Sequence, residues 1–188
     1  FGGVTDMVYI VLGKGFEEVE AVTPGDLLRR AGIETAYVGI DGLEVTGAHG
    51  IGVRADLTPE QMDLTRLDMI VLPGGLGGVA SIRGCRQVMD AVRFAYDNGK
   101  YVAALCAAPT ILAELHITDG REAVCYPDPD LAGQMQASRF RPEAAVVQDG
   151  TVITGASAGC AIPLALALVQ ALKGVEVAQA VANQIVIR

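Results

Sequence analysis

The feature that most narrows the fold of this chain is a rhythm: short apolar runs, each stopped by glycine or proline, with stretches of helical period between them. Met7-Val8-Tyr9-Ile10-Val11-Leu12 ends at Gly13, and Glu17 to Ala31 then carries Val19, Val22, Leu27 and Leu28 before Gly32. Thr35 to Ile40 predicts a second strand, Met69 to Leu72 a third closed by Pro73-Gly74-Gly75, and Tyr101 to Leu105 a fourth. Helices are predicted over Gln87 to Tyr96, over about Ala107 to Leu115 with Pro109 in the first turn, over Ala161 to Leu172 and over about Val175 to Ala182. Strands that are apolar throughout are buried on both faces, and strand-helix repetition produces a mainly parallel sheet covered by helices on both sides. The expected class is α/β, a three-layer sandwich. Leu43 to Ala55 reads as an excursion of one or two small antiparallel strands, and Val146-Val147 with Val152-Ile153 reads as a hairpin around Asp149-Gly150.

Composition removes several classes of function. Fourteen basic against twenty-two acidic residues leave a net charge of -8, which repels a phosphate backbone, so no nucleic-acid partner is expected. Charged or turn residues interrupt every apolar run well short of the roughly 18 residues a membrane span needs, so no membrane partner is expected. The opening FGGVTD has neither the basic region nor the apolar segment of a signal peptide, and the expected location is cytoplasmic. Without repeat, low-complexity tract or linker, residues 1–188 are expected to form one domain, of which Phe1 to Thr5 read as a non-native or disordered lead-in. Cys85, Cys106, Cys125 and Cys160 form no CxxC pair, so reduced thiols are expected, with no metal.

In open α/β sheets, ligands bind outside the carboxyl ends of the strands. Three stations of the sequence fall there: Gly13 to Glu20 after the first strand, Pro73-Gly74-Gly75 after the third, and Cys106 after the fourth. Taken alone, Cys106 reads equally as a small core hydrophobe or as a nucleophile, with Ala103, Ala104, Ala107 and Ala108 leaving room for a tight elbow. Its place at the start of a helix predicts a lowered thiol pKa. Gly74-Gly75 reads as an ordinary turn or as a source of backbone N–H groups for an oxyanion. Glu17, Glu18 and Glu20 complement a helix dipole, and their spacing lets one carboxylate face inward while the others face water. His116 reads as a helix-end residue without a functional role. His49 in its glycine-flanked loop reads as solvated or as touching a partner.

Four segments in order, Lys14-Gly15-Phe16-Glu17-Glu18-Val19-Glu20, Asp26 to Gly32, Leu72-Pro73-Gly74-Gly75 and Ala104-Leu105-Cys106-Ala107-Ala108-Pro109, make the whole chain resemble the DJ-1/ThiJ/PfpI superfamily and most closely its DJ-1-like branch. The resemblance implies a flavodoxin-like fold, a homodimer, and a nucleophile elbow carrying an oxidisable Cys106. It implies Glu20 as the proton-exchanging acid beside the sulfur, and Gly75 and Ala107 as backbone N–H donors to an oxyanion. Gly74 and Tyr126 are implied as pocket lining, with Arg30 and His49 lining it from the partner subunit. Tyr126 stands where animal members commonly carry a histidine, and it cannot act as an imidazole base. Cys125 beside it is placed near the pocket. The implied activity is cofactor-independent conversion of a small reactive carbonyl, glyoxalase-like or deglycase-like, from 2-oxoaldehyde to 2-hydroxy acid. The alternative is a redox-responsive protein or chaperone whose Cys106 becomes a sulfinic acid. A PfpI-type protease would need a histidine directly after the nucleophile, where this chain has Ala107.

Overall fold

The structure is a computed structural model that describes residues 7–188, so the expectation for Phe1 to Thr5 lies outside the described residues. The chain runs β1 (Met7–Leu12), α1 (Glu18–Arg30), β2 (Glu34–Gly39), β3 (Glu44–Thr46), β4 (Gly52–Arg54), β5 (Leu67–Leu72), α2 (Leu76–Arg83), α3 (Arg86–Asp97) and β6 (Tyr101–Leu105). It continues through α4 (Pro109–Glu114), β7 (Glu122–Ala123), α5 (Pro129–Gly133), β8 (Arg139–Phe140), β9 (Val146–Asp149), β10 (Val152–Gly155), α6 (Ala161–Lys173) and α7 (Val175–Gln184). The main sheet has the order β2-β1-β5-β6-β10-β9. Its first five strands are parallel and β9 pairs antiparallel with β10, the hairpin predicted around Asp149-Gly150.

The period-2 geometry of a strand divides its side chains between two cores. Tyr9, Val11, Ile70, Leu72, Val102 and Ala104 pack with Val88, Val92, Ile111 and Leu112 of α3 and α4 on one face. Val8, Ile10, Met69, Val71, Ala103 and Leu105 pack with Leu28 of α1 and Leu164 and Leu168 of α6 on the other. This is the three-layer arrangement expected of strands that are apolar at every position. The Leu43 to Ala55 excursion forms the antiparallel β3–β4 pair.

One helix escapes the sequence pattern. Gly77 and Gly78 each weaken helix propensity by about 1 kcal/mol, and Leu76–Arg83 carries no signal strong enough to predict α2. The helix forms because Val79 and Ile82 bury in the core. Gly78 also permits a close approach, since a Cβ there would lie 2.8 Å from the Cα of Phe16. The predicted helix over about Ala107 to Leu115 is shorter than expected, with Cys106 to Ala108 in a turn and α4 beginning at Pro109. Among the described residues, no helix is long and apolar enough to cross a membrane.

The strand order reverses between β1 and β5: β2 lies on one side of β1 and the later parallel strands on the other. A crevice opens outside the carboxyl ends of the strands at such a point. The loops after β1, β5 and β6 all end there.

Candidate active site

The turn after β6 is built around one strained residue. Cys106 has φ 61°, in the left-handed region that non-glycine side chains adopt only at a cost of about 1 kcal/mol or more. Its backbone is held from both sides: its N–H donates to the Gly155 carbonyl at 2.9 Å, and its own carbonyl accepts from Tyr126 N–H at 2.8 Å. Leu105 before it and Ala107 after it are buried in opposite cores. The thiol is therefore turned out of the sheet and only partly buried.

Around the sulfur the chain places three groups. The backbone N–H groups of Ala107 and Gly75 face it, and the Glu20 carboxyl lies beside it. Gly75 has φ 84°, and an added Cβ would lie 2.4 Å from the Gly15 carbonyl oxygen, so only glycine fits this turn. Gly74 serves indirectly: its N–H donates to Glu20 Oε1 at 2.9 Å, and a Cβ on it would lie 2.5 Å from that oxygen and 2.7 Å from Cys106 Cβ. The Gly74 carbonyl accepts from Glu17 N–H at 3.0 Å, which ties the β5 loop to the start of α1.

Glu20 is fully buried, and its second oxygen, Oε2, has no hydrogen-bond partner. Burial pushes its carboxyl up to about 7, against the Gly74 N–H, with the nearby Glu17 charge pushing the same way. Burial likewise pushes the Cys106 thiol up to about 12, and the Glu20 charge adds to this, while the amides of Ala107 and Gly75 oppose it. The lowered thiol pKa expected from a helix start is thus corrected. The sulfur lies before a short helix, out of water and beside a carboxylate, and these effects outweigh the amide dipoles. The two groups titrate as a pair that retains one proton from about pH 7 upward.

The other two glutamates divide differently from the expectation that only one faces inward. Glu17 caps α1 by accepting from Val19 N–H at 3.2 Å. Glu18 is also buried, because the loop between β3 and β4 folds over the start of α1. The carboxylate of Glu18 accepts the His49 N–H at 2.7 Å and the Ile51 N–H at 3.4 Å, and His49 Nδ1 lies 2.9 Å from Oε2. Burial raises the Glu18 pKa, but the His49 ring and then the backbone N–H groups overcome it and bring it to about 2. Possible metal-ligand atoms of Glu17, Glu18 and His49 lie within 4.8 Å of one another, and this hydrogen bonding already accounts for their meeting.

A cavity of about 550 Å³ opens in front of the sulfur. Glu17, Glu20, Gly75, Cys106, Ala107 and Tyr126 line it, together with Leu76, Asp128, Asp130, Leu131 and the Ser157-Ala158-Gly159 turn. Gly74 lies behind this wall. Arg30 faces a different cleft of the same chain beside Ile162 and Ile185, where it pairs with Asp26 at 2.9 Å. His49 is exposed and reaches the cavity only through Glu17, 3.4 Å from its ring. Neither Arg30 nor His49 lines the cavity of its own chain. Cys125 is buried outside it against Ala123 and Met135. The sequence reading missed Asp128, Asp130 and Leu131, which the segment 127–131 carries to the rim. The one local signal is Asp128 before Pro129, an N-cap pattern fulfilled where Asp128 accepts the N–H groups of Asp130 and Leu131.

Comparison with known proteins gives the family of the chain. Residues 6–171 match the model of the DJ-1/PfpI family. The chain is 34% identical over 181 residues, 95% of each chain, to the protein dj-1beta of Drosophila melanogaster. The crystal structure of that protein superimposes with a TM-score of 0.92 at 32% identity, covering 98% of this chain and 99% of the other. A protein of Pyrococcus horikoshii named as a deglycase is 31% identical over 120 residues, 64% of this chain and 72% of its own. The structure of an oxidized DJ-1 from Toxoplasma gondii matches with a TM-score of 0.85 at 28% identity, covering 96% of this chain and 98% of that one. Elbow, carboxyl, glycine loop and sheet order occur together along the length of the match, and the chain belongs to the DJ-1/PfpI family.

Proposed function

We propose that the protein converts small reactive carbonyls, isomerising a 2-oxoaldehyde to a 2-hydroxy acid. The observation that carries this reading is the unpartnered Oε2 of fully buried Glu20, beside the only partly buried Cys106 sulfur. In the first step sulfur attacks the aldehyde carbon, the thiol proton passes to Glu20, and the carbonyl π electrons move to oxygen, which faces the N–H groups of Gly75 and Ala107. Glu20 returns the thiol proton to that oxygen, which gives a hemithioacetal and restores the carboxylate. Glu20 then takes the proton from the former aldehyde carbon to give an enediolate, the hydroxyl proton of that carbon passes to the neighbouring oxygen, and Glu20 returns its proton to the neighbouring carbon, leaving a 2-hydroxy thioester. Water cleaves the thioester to the hydroxy acid and restores the thiol. No step needs a metal or organic cofactor. The name of the Pyrococcus horikoshii relative supports carbonyl chemistry of this kind.

A second reading rests on the same donors. A protonated Glu20 and the two amides can hold the oxygens of a Cys106 sulfinic acid, which would make oxidation itself the function. Methylglyoxal consumption with lactate detection, without glutathione, separates the readings. Turnover in wild type and its loss in Cys106→Ser and Glu20→Gln support the carbonyl enzyme. No turnover, with peroxide adding oxygen mass at Cys106 to an extent that Glu20→Gln changes, supports the redox protein.

We also propose a homodimer. Val19 and Val22 of α1 and Ile162, Val186 and Ile187 near the carboxyl terminus are exposed apolar side chains. Sedimentation equilibrium tests this directly, and a monomer at micromolar concentration would reject it.

A further inference from the structure

The two backbone donors that face the Cys106 sulfur belong to different elements, and one side chain outside the cavity joins the supports of both. Gly75 opens α2, where its carbonyl accepts from Val79 N–H at 2.9 Å, and α2 ends at Arg83. Ala107 lies in the turn before α4, and its carbonyl accepts from Thr110 Oγ1 at 2.6 Å. Arg83 Nη2 donates to that same Thr110 oxygen at 2.9 Å, while Nε donates to Glu114 Oε2 at 2.8 Å. Nη2 also donates at 3.4 Å to Gln134 Oε1, at the end of α5, whose start carries the cavity-lining Asp128, Asp130 and Leu131. A ring of contacts therefore closes from the sulfur through Gly75, α2, Arg83, Thr110 and Ala107 back to the sulfur. An ion pair with Glu114, itself exposed, adds at most about 1 kcal/mol to folding. It does not explain why the guanidinium also reaches a hydroxyl on a residue that is only 1% exposed.

We propose that Arg83 is a positioning residue for the Cys106 site: through Thr110 it fixes Ala107 relative to Gly75, so that both amide N–H groups stay on one oxygen as charge develops there. The kinetic form of the inference rests on the carbonyl reading. Arg83 does not line the cavity, and its effect is geometric. The planar guanidinium holds its nitrogens at fixed separation, so binding Glu114 through Nε sets where Nη2 meets Thr110. Donation to Oγ1 polarises the hydroxyl and strengthens its bond to the Ala107 carbonyl. Between Arg83 and Gly75, α2 is a stiff spacer because Val79 and Ile82 anchor it in the core. Donors to an oxyanion act mainly in the transition state, so displacing them lowers kcat and leaves KM nearly unchanged.

Arg83→Met keeps the apolar stem and removes every donor. With methylglyoxal, its kcat is expected to fall about tenfold, less than the hundredfold or more of losing a donor outright, with KM within about twofold. Glu114→Gln still offers Nε an oxygen and is expected to stay within about twofold of wild type. Thr110→Val should lose at least as much as Arg83→Met, and the double variant should be no slower than Thr110→Val alone, because both act through one link. Alkylation of Cys106 by iodoacetamide at pH 8, read by peptide mass spectrometry, gives a measure free of turnover. Displaced amides stabilise the thiolate less, and the smaller thiolate fraction outweighs its greater nucleophilicity, so Arg83→Met should slow alkylation about threefold. A merely loosened fold would expose the sulfur and speed it. Urea denaturation establishes that each variant is folded under the assay conditions. Losses that add in the double variant, a raised KM at unchanged kcat, or alkylation in Arg83→Met that is unchanged or faster overturns the proposal. Absence of wild-type turnover, with alkylation slowed alike in Arg83→Met and Thr110→Val, rejects the carbonyl reading and keeps the positioning role. Wild-type turnover that Arg83→Met leaves intact does the reverse.

Discussion

Glu20→Gln isolates the cost of keeping an ionisable group inside the site. The folded protein raises this carboxyl from 4.5 to about 7. At about 1.4 kcal/mol per pH unit, that rise amounts to about 3 kcal/mol of folding stability. The sign follows from proton binding. Between the two values the folded state holds a proton that the unfolded state has released, so this contribution is fully present below about pH 4.5 and is lost as pH rises through 7. Glutamine is nearly isosteric, can still accept the Gly74 N–H, and does not titrate. The stability difference, variant minus wild type, should therefore grow by about 3 kcal/mol from pH 4.5 to pH 8 in favour of the variant. Carboxylates with lowered values, such as Glu18 and Asp149, titrate in both proteins and cancel in the difference. Urea denaturation at several pH values, with the slope against denaturant checked for constancy, measures it. A difference that stays flat between pH 4.5 and 8, or moves the other way, would refute the argument that burial dominates at Glu20.

The same pair sets the pH dependence of the proposed reaction. With Glu20 as the proton acceptor, kcat/KM of wild type for methylglyoxal should rise through about pH 7 and level off above it, and a rise centred near pH 5 would contradict the assignment. Gly75→Ala adds a Cβ 2.4 Å from the Gly15 carbonyl oxygen at a positive φ, so it should lower stability by at least about 2 kcal/mol and displace the amide aimed at the sulfur. Thermal melts and alkylation of Cys106 by iodoacetamide read both effects, and an unchanged melt would show that the loop relaxes freely. Thr110 Oγ1 donates to the Ala107 carbonyl at 2.6 Å and accepts from Arg83 at 2.9 Å, linking the elbow to α2. Thr110→Val removes both bonds within a buried site, so a loss of about 1–3 kcal/mol is expected by urea denaturation. A loss below 0.5 kcal/mol would mean that the link is ornamental.

Much of this protein is legible along the chain because its strands need no tertiary information to be recognised. Val8 to Leu12, Met69 to Leu72 and Val102 to Leu105 are apolar at every position, and only a strand covered on both faces buries them all. The glycine, proline and cysteine that end these runs mark the carboxyl ends of the strands, so the meeting of Gly75, Cys106 and the Glu17 to Glu20 segment was foreseeable once the strands were taken as neighbours. Local sequence also specified the turn at Asp149-Gly150. The acidic run at the start of α1 was visible, but not which of its carboxylates would be buried.

The tertiary structure decided what local sequence has no means of encoding. Glu18 is buried by a loop some thirty residues downstream, and Glu20 by the backbone after β5. Desolvation depends on everything packed around a group, and for Cys106 it reverses the pKa direction that position on a helix implied. α2 forms against its own glycines because the core accepts Val79 and Ile82. Asp128 and Asp130 come to the rim by way of a short segment with no strong period of its own. The chain by itself determined the elements and the ends at which chemistry is possible, through periodicity and turn residues. Only packing determined which carboxyl faces the sulfur, in what protonation state, and in front of what charge, because solvent exclusion and distance are properties of the whole fold.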